Sequence, residues 1–354
     1  MGDEQFWTIV ILQGSPGSVT CINTMSIMGG SSGIRRSPVR RRRCNQENGL
    51  AVPFFKWAGG KNQLIPDFEE RFPVELRNGH LDRYVEPFIG GGAVFLYVVQ
   101  HFPIKESIIC DINEELILTY QVIKQDVDPL ISLLSGYQEE YDGLDDSGRT
   151  SFFYRMRDEM NGERKGFDFS GYGTAWVKRA AQLLFLNRTC FNGLFRVNSK
   201  GAFNVPFGRY KNPRIVHPSN LLKVSSLLSH TTILLGDFSI SREYINDQTF
   251  VYIDPPYRPL SKTSKFTSYS RDGFSEDDQV RLSRFFSELD TTGAKVMLSN
   301  SDPKNEDPDD HFFDDLYREF RMERVLAKRM INSVGDKRGE INEIIVMNYH
   351  VQNL

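Results

Sequence analysis

The chain has 354 residues, enough for one large domain or two ordinary ones, and 40% of them are apolar, which supplies a real core. With 25% charged residues and a net charge of −3, the composition excludes a disordered chain. The four cysteines form no C-x-x-C pair, which argues against a zinc site or a disulfide framework. No apolar run is long enough to span a membrane, and the first one lacks the basic segment of a secretory signal. We therefore expect a protein of a reducing cytoplasm without a metal site or a membrane anchor.

Residues 1–50 differ in composition from the rest of the chain. Glycine, serine and threonine are frequent there, and six arginines lie within positions 35–43. This composition predicts a flexible, Arg-rich N-terminal extension. Two interpretations stay open: the arginines contact nucleic acid, or the segment is a solvated extension, including the case of a start codon assigned upstream of a working Met25 or Met28.

From residue 51 onward, short β-rich runs alternate with helical periods. Strands are predicted at residues 83–85, 107–110, 231–235, 250–253, 295–298 and 341–348, and helices include 114–124 and 277–289. This alternation predicts a mostly parallel sheet with helices on both faces.

A long window between Asp168 and Asp237 contains no acidic residue. It spans 68 residues and carries nine lysines and arginines, so a chain that is nearly neutral overall contains a strongly basic segment. A surface that faces a polyanion needs this absence of carboxylates, because each one would repel phosphate. We therefore expect nucleic-acid contact in this window, with a solvated face or a pocket for a small anion as the alternatives.

A glycine turn follows the first predicted strand, at residues 85–93, and Asp111 ends the next strand. Glycines let the backbone pass close to a ligand, and an acid at the end of the second strand can accept hydrogen bonds from a ribose. The pattern favours a cofactor that contains adenosine, although an ordinary turn with a helix-capping Asp111 remains open. The G-x-G-x-x-G fingerprint of NAD sites is absent.

The apolar strand at residues 250–253 ends in Asp254-Pro255-Pro256-Tyr257. The prolines end the strand, so Asp254 is expected at the carboxyl edge of the sheet, where α/β sites lie. The Asp254 carboxylate and the Pro255 carbonyl form an acceptor pair that suits an exocyclic amine, and Tyr257 offers a stacking face. A third segment, residues 53–61, ends in Gly59-Gly60-Lys61 and predicts a backbone nest for an anionic group, without the spacing of a Walker loop.

Together these segments resemble the Dam-like, D12-class family of DNA adenine-N6 methyltransferases over residues 51–349. The family order is KWAGGK, EPF-x-G-x-G, DIN, a recognition region, GDF and DPPY; here the blocks are residues 56–61, 86–92, 111–113, 236–238 and 254–257, around a recognition region. Residues 187–196, 266–269 and 299–301 also resemble family blocks. The chain departs from the pattern at Gly91 and Gly92, where members vary, and in the N-terminal extension.

The resemblance implies a class I methyltransferase fold, a Rossmann-like, mostly parallel α/β sheet with an inserted, mainly helical target-recognition domain. Residues 51–125 and 230–354 would form the catalytic domain and residues 126–229 the target-recognition domain. The implied cofactor is S-adenosylmethionine. Its expected contacts are Trp57, Lys61, Phe88, Gly90, Asp111 on the ribose, Asp237 near the adenine, Phe238 and Asp254.

The implied catalytic loop is Asp254, Pro255, Pro256 and Tyr257, with a target adenine flipped out of duplex DNA and stacked on Tyr257. The recognition region resembles that of enzymes that methylate GATC, and of a GATATC-specific relative. Arg196 would read a guanine through its planar fork, or else contact a phosphate. The full set of expected DNA contacts is Arg179, Arg188, Phe191, Asn192, Leu194, Arg196, Lys200 and Pro206.

The sequence therefore predicts a site-specific adenine-N6 DNA methyltransferase, active on GATC, in restriction-modification or DNA methylation. We expect a monomer that acts on double-stranded DNA in a bacterial cytoplasm, with a cognate restriction endonuclease as a partner that shares the site without a stable complex. The alternatives are a cytosine-N4 enzyme, whose loop usually begins with serine, and a non-catalytic DNA-binding protein on the same fold. Cytosine-C5 methylation is excluded, since no cysteine of this chain follows a proline.

Overall fold

A computed structural model describes residues 49–258, 274–328 and 340–351. The predicted flexible extension therefore lies, except for its last two residues, outside the described part of the chain. A seven-stranded sheet forms the centre of the described structure. Its strands are β1 (Arg83–Glu86), β2 (Glu106–Asp111), β3 (Thr231–Leu235), β4 (Thr249–Ile253), β5 (Lys295–Ser301), β6 (Arg321–Lys328) and β7 (Glu340–Met347).

The strand order is β3-β2-β1-β4-β5-β7-β6. The first five strands in this order run parallel, and β7 is antiparallel to both of its neighbours. The order reverses between β1 and β4, so the loops after these strands open at the switch point where α/β folds bind ligands. This architecture confirms the predicted class I methyltransferase fold.

Ten helices are described around the sheet. Local sequence starts several of them: the Asn113 side chain accepts a hydrogen bond from Leu116 N, and Ser275 and Asp278 form a reciprocal capping box. The helices are α1 (Ile65–Glu69), α2 (Val74–Arg77), α3 (Ala93–His101), α4 (Glu114–Gln125), α5 (Val127–Gly143), α6 (Asp146–Glu163), α7 (Ala175–Thr189), α8 (Pro218–Leu228), α9 (Glu276–Asp290) and α10 (Phe312–Leu316).

Two apolar clusters cover the two faces of the sheet. The larger includes Tyr84, Phe250 and Met297 from the strands and continues without a break into α4 to α8, for example at Phe185. The smaller lies under α9 and includes Phe286. The helical region at residues 126–229 therefore shares its core with the sheet, and the described residues form one compact unit.

Five of the six predicted strands agree with the observed ones to within one residue at each end, and β5 continues three residues beyond its predicted end. The sequence analysis did not predict β6. In β6 charged residues interrupt the apolar pattern, and two of them have partners elsewhere: Glu323 accepts from Arg71, and Arg324 donates to Asp302. Among the described residues, no helix is long and apolar enough to cross a membrane.

Candidate active site

Three carboxylates stand at the carboxyl edge of the sheet, each at the end of a different strand. Asp111 ends β2, Asp237 follows β3, and Asp254 follows β4. The glycine turn after β1 lies between them in the strand order. The topology thus brings together residues separated by more than a hundred positions in sequence.

The glycine turn leaves no room for side chains. Gly92 has φ 68°, and a Cβ there would overlap the hydroxyl of Tyr120, which donates to the Gly90 carbonyl. A Cβ on Gly90 would lie 2.9 Å from the Trp57 ring. Trp57 of the KWAGGK segment therefore packs directly against the turn.

Asp111 is held by backbone donors. Its two oxygens accept hydrogen bonds from Gly90 N at 3.1 Å and Asn113 N at 2.9 Å. Burial raises the pKa of Asp111 to about 6, although these backbone bonds favour the ionised form. Asp111 therefore connects the glycine turn to the start of α4.

Asp237 is paired with an arginine that the sequence analysis did not identify. The Arg281 guanidinium, on α9, donates to both oxygens of Asp237 at 2.7 and 2.8 Å. This hydrogen bonding, followed by that of Ser239, lowers the pKa of Asp237 to about 2. The neighbouring Phe238 is buried and packs against the half-buried Phe88, with ring centroids 5.4 Å apart.

Asp254, whose side chain is 20% exposed, forms an ion pair with the buried Lys61. The Lys61 Nζ lies 2.6 and 2.8 Å from the two carboxylate oxygens, and the Ser299 hydroxyl donates to Oδ1 at 3.3 Å. Burial lowers the pKa of Lys61, but the charge of Asp254, together with Tyr257 and Glu343, outweighs that effect and leaves the pKa raised. Lys61, a predicted cofactor contact, thus contacts Asp254 of the predicted catalytic loop.

Tyr257 lies over the same lysine, with its ring centroid 4.8 Å from the Lys61 Nζ. Its buried hydroxyl and the Oε2 atom of the buried Glu343, on β7, have no hydrogen-bond partner within the described residues. A lysine, two carboxylates and a tyrosine thus occupy one desolvated cluster beside the strand ends.

The proline loop at residues 254–257 is fixed by contacts on its core side. Gln279, buried on α9, donates to the Pro256 carbonyl at 3.0 Å, and Asn300 of β5 donates to Gln279. Pro255 is itself buried. The loop is therefore rigid on the side that faces the core.

The predicted recognition region, residues 126–229, contacts the KWAGGK segment directly. The buried Asn187, on α7, accepts from Lys56 N at 2.8 Å and donates to the carbonyls of Lys56 and Gly193, each at 2.9 Å. Trp57 stacks on Phe195, with ring centroids 5.6 Å apart. Trp57 thus contacts both the glycine turn and the predicted recognition region.

A hairpin follows α7, with Val197 paired to Phe203. Arg196 is exposed on it and donates from Nε to the Asn204 side chain at 2.8 Å. Lys200 stands at the hairpin tip, and Phe191 is 51% exposed before it. Asn192 and Pro206 are also exposed, and Leu194 is half-buried. These six residues form one candidate surface for DNA: Phe191, Asn192, Leu194, Arg196, Lys200 and Pro206.

Two predicted DNA contacts are placed differently. Arg179 is 1% exposed and donates to both oxygens of Glu115, on α4, and to the Met160 carbonyl. The expectation that Arg179 contacts DNA is therefore wrong, because a buried arginine cannot reach a phosphate; it ties α7 to α4. Arg188 is half-buried and donates to the Phe54 carbonyl at 2.6 Å.

The sequence analysis missed five residues of this site. Ser299 and Asn300 lie in a segment that resembles a family block, so a signal existed for them. The partners across the sheet carried no local signal, because their position depends on pairing between distant strands and helices. The five are Arg281, Gln279, Ser299, Asn300 and Glu343.

Comparison with known proteins decides the family. The family model of the D12 class N6 adenine-specific DNA methyltransferases matches residues 57–331. The chain belongs to this family. The chain is 52% identical over 298 residues to the type II methyltransferase M.MjaIII of Methanocaldococcus jannaschii. This alignment covers 84% of this chain and 99% of the relative.

Two further relatives are similar over comparable lengths. The type II methyltransferase M1.LlaDCHI of Lactococcus lactis subsp. cremoris is 40% identical over 84% of this chain and 95% of its own. The DNA adenine methylase of Escherichia coli strain K12 is 30% identical over 83% of this chain and 94% of its own. This member of the D12 class is therefore an adenine-specific DNA methyltransferase, and the cytosine-N4 and non-catalytic alternatives are set aside.

Proposed function

We propose that this D12-class enzyme transfers a methyl group from S-adenosylmethionine to the N6 amine of an adenine flipped out of duplex DNA, within GATC. One observation carries the proposal. The Asp254 loop, with Lys61 and Tyr257, stands beside a glycine turn and a ribose-type acid at the switch point of the sheet.

The residues present fit the proposed cofactor. The closed glycine turn lets a ligand approach the backbone, and the Asp111 carboxylate is fixed by two backbone donors so that its other lone pairs are available to ribose hydroxyls. Asp237 stands at the next strand end, in the direction in which an adenine would extend from such a ribose. When bound, S-adenosylmethionine would supply a methyl group activated by its sulfonium.

Asp254 would act on the target amine through hydrogen bonds. The amine lone pair of adenine is delocalised into the ring, and hydrogen bonds from its two N–H groups to Asp254 and to the Pro255 carbonyl would localise it. Asp254 Oδ1 accepts from both Lys61 and Ser299, whereas Oδ2 accepts from Lys61 alone. Oδ2 therefore retains a lone pair for the amine. Burial raises the pKa of Asp254, and the charge of Lys61 opposes this shift and favours the ionised form.

Duplex DNA hides this amine, so the base has to leave the helix, at an unpairing free energy of a few kcal/mol. Tyr257 offers the aromatic face on which a flipped base would stack. Its ring already lies against the Lys61 ammonium, and the rigid proline loop fixes its backbone. These contacts would hold Tyr257 in place for a flipped base.

The site preference is assigned to the hairpin. Arg196 is exposed, and its Nε and Nη2 atoms donate to the side-chain oxygen and the carbonyl of Asn204 at 2.8 and 3.4 Å. Its guanidinium would bind the O6 and N7 acceptors of a guanine. Five further basic residues of the acid-free window are exposed. Lys178 is paired with Glu163, and the other four are Lys200, Arg209, Lys211 and Arg214. These would bind the phosphates on either side.

We also propose that the enzyme protects its site against a cognate restriction endonuclease. The support is that two relatives are named type II methyltransferases.

Modified-base sequencing of plasmid DNA from cells that produce the enzyme tests the proposal. We expect N6-methyladenine at GATC and at no other motif, and none in cells that produce Asp254→Asn. Methylation confined to GATATC would correct the site alone. Absence of any methylated adenine, with folded enzyme present, would overturn the proposed reaction.

A further inference from the structure

The pair formed by Asp237 and Arg281 has a geometry that the proposed reaction does not use. Asp237 Oδ1 accepts three hydrogen bonds, from Ser239 N at 3.1 Å, Ser239 Oγ at 2.7 Å and the Arg281 guanidinium at 2.7 Å. Oδ2 accepts one, from Arg281 at 2.8 Å. The free lone pair of this carboxylate therefore belongs to Oδ2, and its direction is set by the arginine fork.

Arg281 is itself held in place from two sides. Its guanidinium lies 4.3 Å from the centroid of the Phe238 ring and 3.4 Å from the Asp278 carboxylate. Asp278 is the N3 residue of the capping box that starts α9. The start of α9 thus positions Arg281, and Arg281 positions Asp237.

Asp237 lies beyond Asp111 in the strand order, because β3 is the outer neighbour of β2. Gly236 N donates to the Asp111 carbonyl, so the two strand ends are joined. A ribose on Asp111 would direct its base towards β3. Apolar side chains are exposed there: Ile112 is 64% exposed, and Ile240, beside Gly236, is 39% exposed.

We infer that Arg281 is a positioning residue for the cofactor: it orients Asp237 so that Oδ2 accepts a hydrogen bond from the exocyclic amine of the cofactor's adenine. This inference rests on the proposed function, since it concerns the base of the same cofactor. Arg281 would thereby decide how strongly the enzyme prefers a 6-amino purine, a hydrogen-bond donor, to a 6-oxo purine, an acceptor that would meet the carboxylate.

Binding of two ligands to the full chain, measured by calorimetry without DNA, tests this role. The ligands are S-adenosylhomocysteine and S-inosylhomocysteine, which differ only in the purine. We expect wild type to bind the adenosyl ligand at least about tenfold more tightly. In Arg281→Gln the adenosyl ligand should bind about tenfold more weakly and the inosyl ligand almost unchanged, so that most of the preference is lost.

Two further variants separate this role from general effects. Arg242 joins the segment after Asp237 to the same helix through Glu288, at 2.7 Å, and does not contact Asp237. Arg242→Gln should therefore leave both affinities unchanged. Arg281→Lys keeps the charge without the planar fork and should lose the preference nearly as fully as Arg281→Gln.

The outcomes are distinguishable. If wild type binds neither ligand, both the proposed cofactor and this inference are wrong. If wild type binds with the expected preference and Arg281→Gln retains it, the inference alone is overturned. Tighter binding of the adenosyl ligand by Arg281→Gln would show that Arg281 blocks Asp237 rather than orienting it. Wild-type preference for the adenosyl ligand in Arg281→Lys would show that the positive charge suffices. Either result contradicts the inference.

Discussion

Asp254 and Lys61 illustrate how single residues in this enzyme serve the fold and the site together. Each is the closest opposite charge to the other in a desolvated cluster, at 2.6 Å. Breaking a buried pair by removing one partner leaves an unpaired charge, which typically destabilises a protein by about 3–5 kcal/mol. A variant at either position must therefore be judged on both stability and chemistry.

Asp254→Asn is expected to lower methyl transfer by several orders of magnitude while DNA affinity stays within about threefold. The amide oxygen accepts one hydrogen bond but carries no charge to hold Lys61 and the amine together. Single-turnover transfer and DNA binding at one salt concentration measure the two effects. Thermal unfolding serves as the control, and the double variant Asp254→Asn with Lys61→Met should recover stability without activity. A tenth of wild-type transfer in Asp254→Asn would contradict the assigned role.

Cofactor affinity is expected to depend on pH through Asp111. The carboxylate has to be ionised to accept both ribose hydroxyls, and its pKa is about 6 in the free enzyme. As the pH falls below 6 the proton competes with the cofactor, so the Kd of S-adenosylhomocysteine should rise about tenfold per pH unit. Asp237, with a pKa of about 2, stays ionised throughout this range.

Calorimetric titrations from pH 5 to pH 8 measure this dependence. Asp111→Asn is the matched control and should bind weakly with a flat profile. A wild-type Kd that is constant across the range would remove Asp111 from the ribose site.

Among the helices, α7 both packs in the core and positions residues of the candidate site. Its buried face carries Arg179, paired with Glu115, and its C-terminal end carries Asn187, which joins the KWAGGK segment to the recognition region. The hairpin that follows α7 presents Arg196 to solvent. Arginines of the same basic window thus belong to the core and to the surface.

Arg179→Met and Arg196→Ala should therefore give opposite results. Arg179→Met leaves Glu115 with Arg164 as its remaining partner and should destabilise the fold by about 1–3 kcal/mol without changing site preference. Arg196→Ala should leave the free energy of unfolding unchanged. It should reduce kcat/KM on GATC by a factor that corresponds to about 1–3 kcal/mol of transition-state binding, and it should relax discrimination at one base pair.

Chemical unfolding and kinetics on GATC and its single-base variants measure both. Equal losses for Arg196→Ala on every duplex would show that it contacts phosphate rather than a base. A loss of DNA affinity in folded Arg179→Met would contradict the structural role of Arg179.

Part of the fold and of the candidate site could be predicted from the sequence alone. The parallel strands were predictable because each is a short apolar run before a turn, and Asp111, Asp237 and Asp254 were predictable because they follow such runs. Arg179 was misplaced because its partner Glu115 lies 64 positions away. Arg281 and Glu343 were missed for the same reason: helix docking and strand pairing, rather than local pattern, bring them to the site.

At the scale of the whole molecule, the described residues contain a continuous core that joins the sheet to the recognition helices. The candidate site is built from residues of this described part of the chain.

A chain that begins at Leu50 is therefore expected to keep the site preference and most of the activity. Six arginines are removed with the extension, so the loss should be confined to nonspecific DNA affinity that weakens with salt. Binding to random-sequence and GATC duplexes across a salt series measures this. A truncated enzyme that folds but no longer binds GATC would show that the extension is part of the interface.

Transfer of labelled methyl groups from S-adenosylmethionine to defined duplexes tests the central claim most directly. Purified enzyme would be given duplexes that contain GATC, GATATC, or GATC with one base pair changed, and the labelled nucleoside would be identified after digestion. We predict labelled N6-methyladenine from GATC, with kcat/KM at least about a hundredfold above any altered site. Folded wild-type enzyme that labels none of the duplexes, or labels them all equally, would contradict it.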